Sequence, residues 1–169
     1  MTAEEIVLHG GDPSRQTIHF DARLRERTLG SLDGKHGSLF RKQCKEAGVS
    51  PDDHVPENGE SLQDLQQRLY DFIEKRLLPE SVNASKVLVV SHGVTIREMI
   101  KYLLDYCQQP HEAEIDPKND IPPNTSVSVF KVHIDGEQKI TDVSVLCLHD
   151  LSHLNDDMQT QARHSFKHW

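Results

Sequence analysis

Cysteine is scarce. The three, Cys44, Cys107 and Cys147, are odd in number and their spacing makes no framework of bridges. Reduced thiols in the cytosol or nucleus are the simplest reading, and a cytoplasmic protein is expected. No Cys-x-x-Cys pair is present to suggest zinc. Long apolar runs are also missing: the longest is far too short to span a bilayer. The start, Met1-Thr2-Ala3-Glu4-Glu5, lacks the basic region and apolar core of a signal or transit peptide. Basic clusters are absent, and the net charge is −8. This argues against nucleic acid and anionic membranes as partners. It does not exclude a small phosphorylated metabolite, because a few local arginines can reverse the field in a cleft. No long biased tract interrupts a chain that is 36% hydrophobic and 27% charged, which is a globular composition. At 169 residues it suits one domain with a real core.

What is present is organised around Lys86-Val87-Leu88-Val89-Val90-Ser91-His92-Gly93. The apolar, β-branched run reads as a buried parallel strand over residues 87–91. A helical pattern follows at once, with Ile96, Met99, Ile100, Leu103 and Leu104 on one face. His92 would then sit past the carboxyl end of a central strand, where open α/β sheets place ligands. The first free N–H groups of the next helix would favour an anion there.

Other elements can be read in order. Thr2 caps a short helix that Gly10-Gly11 ends, followed by an Asp12-Pro13-Ser14 turn. Residues 16–20 suit a short strand. The charged stretch 21–30 has few apolar residues, and composition alone leaves it as a solvated loop. Residues 36–47 suit a helix closed by Gly48. Ser61, with Asp64 three positions on, resembles a capping box. Leu62, Leu65, Leu69, Phe72, Ile73 and Leu77 then share one helix face, and Pro79 should stop it. Residues 107–123 are a polar loop, either lid or connector. Residues 125–134 alternate with period two, Asp135-Gly136 signals a hairpin turn, and residues 139–148 return. From His149 the chain is polar. His149 and His153 have a helix-like spacing that could hold a metal, but without a third ligand a solvated tail is expected. The fold class expected is α/β: a mostly parallel central sheet, helices on both faces and an antiparallel edge hairpin. The domain is expected over residues 1–154, with a tail over 155–169.

Four stretches carry a resemblance when taken in order. They are Leu24-Arg-Glu-Arg-Thr-Leu-Gly-Ser-Leu-Asp-Gly34, Gly59-Glu-Ser-Leu-Gln-Asp-Leu65, Val89-Val-Ser-His-Gly93 and Pro123-Asn-Thr-Ser-Val-Ser-Val129. Together they resemble the histidine phosphatase (phosphoglycerate mutase-like) superfamily, and within it the TIGAR-type fructose-bisphosphatase branch. The resemblance implies hydrolysis of a phosphomonoester through a phosphohistidine, with no metal or other cofactor. A sugar phosphate such as fructose-2,6-bisphosphate is the substrate it suggests. It implies Glu26 as proton donor and later base, and His92 as the histidine that hydrogen-bonds a phosphoryl oxygen. Gly93 and Val94 would donate backbone N–H groups. Arg25 and Arg27 would line the substrate side, and Asn124 would support the site.

The same resemblance exposes a gap. The family pattern opens with a strand ending in Arg-His-Gly, whose histidine is the nucleophile, and a further arginine follows. This chain contains neither. Ile6-Val7-Leu8-His9-Gly10 is a poor match for that motif, since it lacks the arginine and lies close to Arg25, but it is the other candidate nucleophile stretch. The first strand of the pattern is therefore expected to be missing, which would leave sheet edges open. Low stability or self-association through those edges is the consequence expected, and a catalytically inactive phosphate-binding or interaction module is the alternative function.

Overall fold

The computed structural model describes residues 2–9, 17–82, 86–108, 116 and 120–165. Helix α1 (Thr2–His9) carries Glu4 and Glu5 in its first turn and His9 in its last, both favourable to the helix dipole. His9 is exposed and pairs with Glu5 one turn back, at 3.4 Å. The Gly10-Gly11 stop, the Asp12–Ser14 turn and most of the 107–123 loop lie outside the described residues. Residues 17–20 form no strand.

Helix α2 (Gly37–Ala47) ends at Gly48, whose φ of +68° is the left-handed cap a glycine adopts at low cost. Helix α3 (Leu62–Phe72) starts at the capping box that Ser61 and Asp64 form. It does not stop before Pro79. A π turn over Ile73–Leu77 shifts the register, with Leu78 N–H reaching Ile73 O, and a last turn α4 (Leu78–Ser81) follows. Pro79 falls in the opening turn of that piece, where its missing N–H costs little. Helix α5 (Gly93–Leu104) runs from the Ser-His-Gly motif.

Strands β1 (Val127–Ile134) and β2 (Ile140–Asp150) pair antiparallel as the alternation predicts. Their connection is longer than a two-residue Asp-Gly turn. Asp135 Oδ1 accepts the N–H groups of Glu137 and Lys139, each at 2.9 Å, and Gln138 rather than Gly136 takes the positive φ. The core lies between this hairpin and the helices. Leu65, Leu69, Phe72, Ile73 and Leu78 meet Ile140 and Val143, flanked by Phe130, Val132, Met99 and Tyr102.

The chain has the mixed α/β character expected, but among the described residues the hairpin is the one sheet. Residues 86–91 form no strand, and Val87 and Leu88 are 49% and 67% exposed. Their composition signals a strand buried on both faces. Burial on both faces needs a paired strand on each side, and among the described residues none pairs with this segment.

The tail reading also changes. Residues Asp156–Ser165 form helix α6, capped by Asn155 Oδ1 on Met158 N–H at 2.9 Å. His149 is not in a solvated tail. It lies in β2 at 7% exposure, with φ +53° and neither ring nitrogen hydrogen-bonded among the described residues. Burial pushes its imidazole below the ordinary value near 6.5, against the opposing field of Asp120. A histidine depressed in the fold leaves the unfolded chain binding the extra proton. Stability should therefore fall as pH drops through 6.5 toward the lower folded value. Urea midpoints at several pH values should show this slope. His149→Asn, which tolerates the left-handed backbone, should flatten it.

Candidate active site

The charged stretch 21–30 is not a free loop. Asp21 Oδ1 caps the 3-10 turn Ala22–Leu24 by accepting Arg23 N–H at 2.9 Å. The Arg23 guanidinium forks between Asp21 and Asp71 of α3 and lies over the Phe72 ring. Arg68 of α3 does more. Its Nε and Nη2 grip Glu60 at 2.6 and 2.8 Å, and its terminal nitrogens also reach the carbonyls of Arg23 and Glu26. Burial would raise the Glu60 carboxyl, but Arg68 and Arg25 outweigh it and hold it below the usual carboxylate range. Gly30, at φ +57°, lies so close to the backbone of residues 57–59 that a β-carbon would overlap Glu57 O. Across this contact Ser31 N–H reaches Glu57 O and Glu60 N–H reaches Thr28 O, each at 2.9 Å. The Leu-Gly-Ser-Leu-Asp-Gly and Gly-Glu-Ser motifs are thus two sides of one interface. Ser91 Oγ then ties the stretch to the start of α5 by donating to Leu24 O at 2.7 Å.

This frame delivers Glu26 to the N-terminus of α5. Its Oε2 accepts Val94 N–H at 3.1 Å, and its Oε1 accepts Thr95 N–H at 3.2 Å and Arg27 N–H at 2.9 Å. The first N–H groups of a helix have no partner within it. Here the N-cap residue is His92, whose side chain makes no capping bond, so the carboxylate of a distant loop does that work. His92 itself is exposed at this helix end. A β-carbon on Gly93 would sit 2.6 Å from Ile121 Cγ2 and 3.7 Å from Glu26 Oε2, so glycine is needed for the close approach.

Three of the expected site residues stand differently from the resemblance. Val94 N–H, expected to face a ligand, donates to Glu26. Arg27 does not line an open cleft. It is 6% exposed and donates to Glu60 O at 2.9 Å, Pro51 O at 3.0 Å and His54 O at 2.6 Å. Burial pushes its guanidinium down from the ordinary value. Arg25 sends its guanidinium to Glu60 at 3.1 Å, with the side chain half exposed. Asn124 is exposed in the turn before β1. The structure therefore brings together Glu26, His92, Gly93 and Val94, and turns both arginines toward protein groups.

A buried charge network braces α5 from behind. Glu98 has no exposed surface and accepts from Arg97 Nε, Lys101 Nζ and Gln66 Nε2 at 2.9, 2.9 and 2.7 Å. Arg97 also reaches Asp52 at 2.8 Å. Burial lowers the Arg97 guanidinium, but Asp52 and Glu98 outweigh it, and the net direction is up. Asp52 follows Pro51, whose carbonyl holds Arg27, so the network joins α5 to the Glu26 loop through one segment. Sequence reasoning missed Thr95, Arg68, Glu60 and Glu98 as site supports. Their one visible signal was position, each within or near a motif or on the polar side of a helix.

Glu26 and the Ser-His-Gly motif thus form one local site at the N-terminus of α5. The chain belongs to the histidine phosphatase superfamily (branch 1), whose family model matches residues 1–143. It is 28% identical to the fructose-2,6-bisphosphatase TIGAR of Xenopus tropicalis over 185 residues, covering 82% of this chain and 67% of that protein. It is 30% identical to the 2,3-bisphosphoglycerate-dependent phosphoglycerate mutase of Rhizobium etli over 138 residues, covering 79% of this chain and 62% of that one. Among solved structures, Mycobacterial hydrolase 2 shares the fold, with a TM-score of 0.65 at 20% identity, over 99% of this chain and 74% of that one.

Proposed function

We propose that this chain is a phosphomonoesterase of the histidine phosphatase type, acting without a metal on a small sugar phosphate such as fructose-2,6-bisphosphate. One observation carries the reading. Glu26 and the Ser-His-Gly helix start, 68 positions apart at Val94, meet at 3.1 Å. Both a fructose-2,6-bisphosphatase and a phosphoglycerate mutase are similar to the chain, which supports phosphoryl chemistry ahead of any one substrate.

In the mechanism the resemblance implies, the ring nitrogen of a nucleophilic histidine, which no Arg-His-Gly motif of this sequence supplies, attacks phosphorus. The P–O ester bond breaks, and its electron pair leaves on the alkoxide, which takes a proton from Glu26. Water then attacks phosphorus, the P–N bond breaks, and the Glu26 carboxylate takes the proton of that water. His92 donates a hydrogen bond to a phosphoryl oxygen, where charge builds in both steps. The resemblance puts the nucleophile in an Arg-His-Gly segment, and the sequence contains none. That observation favours a second reading, a phosphate-binding module of the same fold without turnover.

The test is hydrolysis of p-nitrophenyl phosphate and of fructose-2,6-bisphosphate by the 169-residue chain with EDTA present. Phosphate release that His92→Ala slows by about 10²–10³-fold, the usual cost of one transition-state donor, gives the first reading. No release from either substrate, with orthophosphate still raising the melting temperature, gives the second reading.

A further inference from the structure

We propose that Thr95 is a positioning residue that selects Oε2 of Glu26 as the oxygen that carries the transferred proton. The inference rests on Glu26 as the proton donor. Thr95 occupies the third position of α5 and has no exposed surface. A helical threonine usually turns its hydroxyl back to the carbonyl of the preceding turn. This one turns outward. Thr95 Oγ1 lies 2.9 Å from Arg25 O and 3.2 Å from Glu26 Oε1, and its one proton is shared between them. The β-branched side chain is stiff in a helix, so the hydroxyl holds its direction.

The two carboxylate oxygens are therefore unequal. Oε1 receives Arg27 N–H, Thr95 N–H and the Thr95 hydroxyl. The two N–H donors fill the two lone pairs that a carboxylate oxygen offers, and the hydroxyl proton, shared with Arg25 O, reinforces that hold. Among the described residues Oε2 receives Val94 N–H alone, which leaves room for a proton. It is also the oxygen beside Gly93, next to His92. Proton transfer then breaks the Oε2–H bond and forms the O–H bond of the leaving alcohol, while Oε1 stays fixed.

Two variants separate the hydroxyl from the shape it occupies. Thr95→Val keeps the volume and the N–H but removes the hydroxyl, and Thr95→Ser keeps the hydroxyl. Amide hydrogen exchange at Arg27 and Val94 reports, without any turnover, whether the carboxylate is held. Thr95→Val should speed exchange at both amides about tenfold, the worth of one hydrogen bond to a charged group. Thr95→Ser should restore it. In turnover, Thr95→Val should lower kcat about tenfold on an alkyl phosphate, with KM within about twofold. Should Thr95→Val fail to fold, Thr95→Ala takes its place. Wild-type exchange at both amides in the hydroxyl-free variant overturns the proposal. Faster exchange with unchanged kcat, in a chain that Glu26→Gln inactivates, also overturns it. Faster exchange in a wild-type background that turns nothing over sustains the positioning and removes the phosphatase reading alone.

Discussion

Arg27→Met should lower the unfolding free energy by about 2–4 kcal/mol, because three carbonyls, one buried and two part-buried, lose a charged donor at once. In a chain of 169 residues that is a fall of roughly 5–15 °C in Tm. Methionine fills much of the arginine stem, so lost volume contributes little and the loss reports the hydrogen bonds. Arg27→Lys should fall between, since one ammonium cannot meet carbonyls from Glu60, Pro51 and His54 in the planar fork a guanidinium offers. Thermal melts of the three proteins check the order. The same variants separate the structural role from the substrate role that the motif suggests. A residue lining the substrate would raise KM and leave Tm in place. A buried staple lowers Tm and disturbs kcat only by loosening the Glu26 loop.

Arg27 shows a choice that sequence leaves open. One position from a motif acid, a guanidinium facing a phosphate and one facing three carbonyls are the same letter. The choice is made by the 51–60 segment folding back over it, and no local pattern encodes that. The capping box at Ser61 and Asp64 was legible because its hydrogen bonds span three residues. The hairpin was legible because period-two alternation is local too. Residues 87–91, expected as a strand, form none among the described residues for another reason. Their apolar letters state a preference, but burial is a property of neighbours, and Leu88 is left facing solvent. His149 shows the reverse case. A histidine in a polar stretch reads as solvated, yet the β2 strand carries it inside. Of the site itself, motif order placed Glu26 with His92. It could not show that Glu26 caps α5, because the bonds concerned cross 68 and 69 positions.

Glu26→Gln should cost about 10²–10⁴-fold in kcat on a sugar phosphate, the range for losing a general acid. The loss should depend on the leaving group. A sugar alkoxide is strongly basic and needs its proton in the transition state. A p-nitrophenolate departs without one, so the loss on p-nitrophenyl phosphate should be much smaller. The ratio of the two losses identifies proton donation, because a general collapse of the site would depress both alike. Glutamine is close in shape, but its amide has one acceptor where the carboxylate has two. With the oxygen on Arg27 and Thr95, the NH₂ group faces Val94 N–H, donor against donor. A modest drop in Tm is expected from that mismatch, and Glu26→Ala, which leaves both helix N–H groups uncapped, should lose more. Equal losses on both substrates would place Glu26 among the structural caps of α5 and leave proton donation to another group. A large loss on the sugar phosphate with a small one on the aryl ester would tie the cap and the acid to one side chain. In that case the helix that Glu26 stabilises is also what aims it.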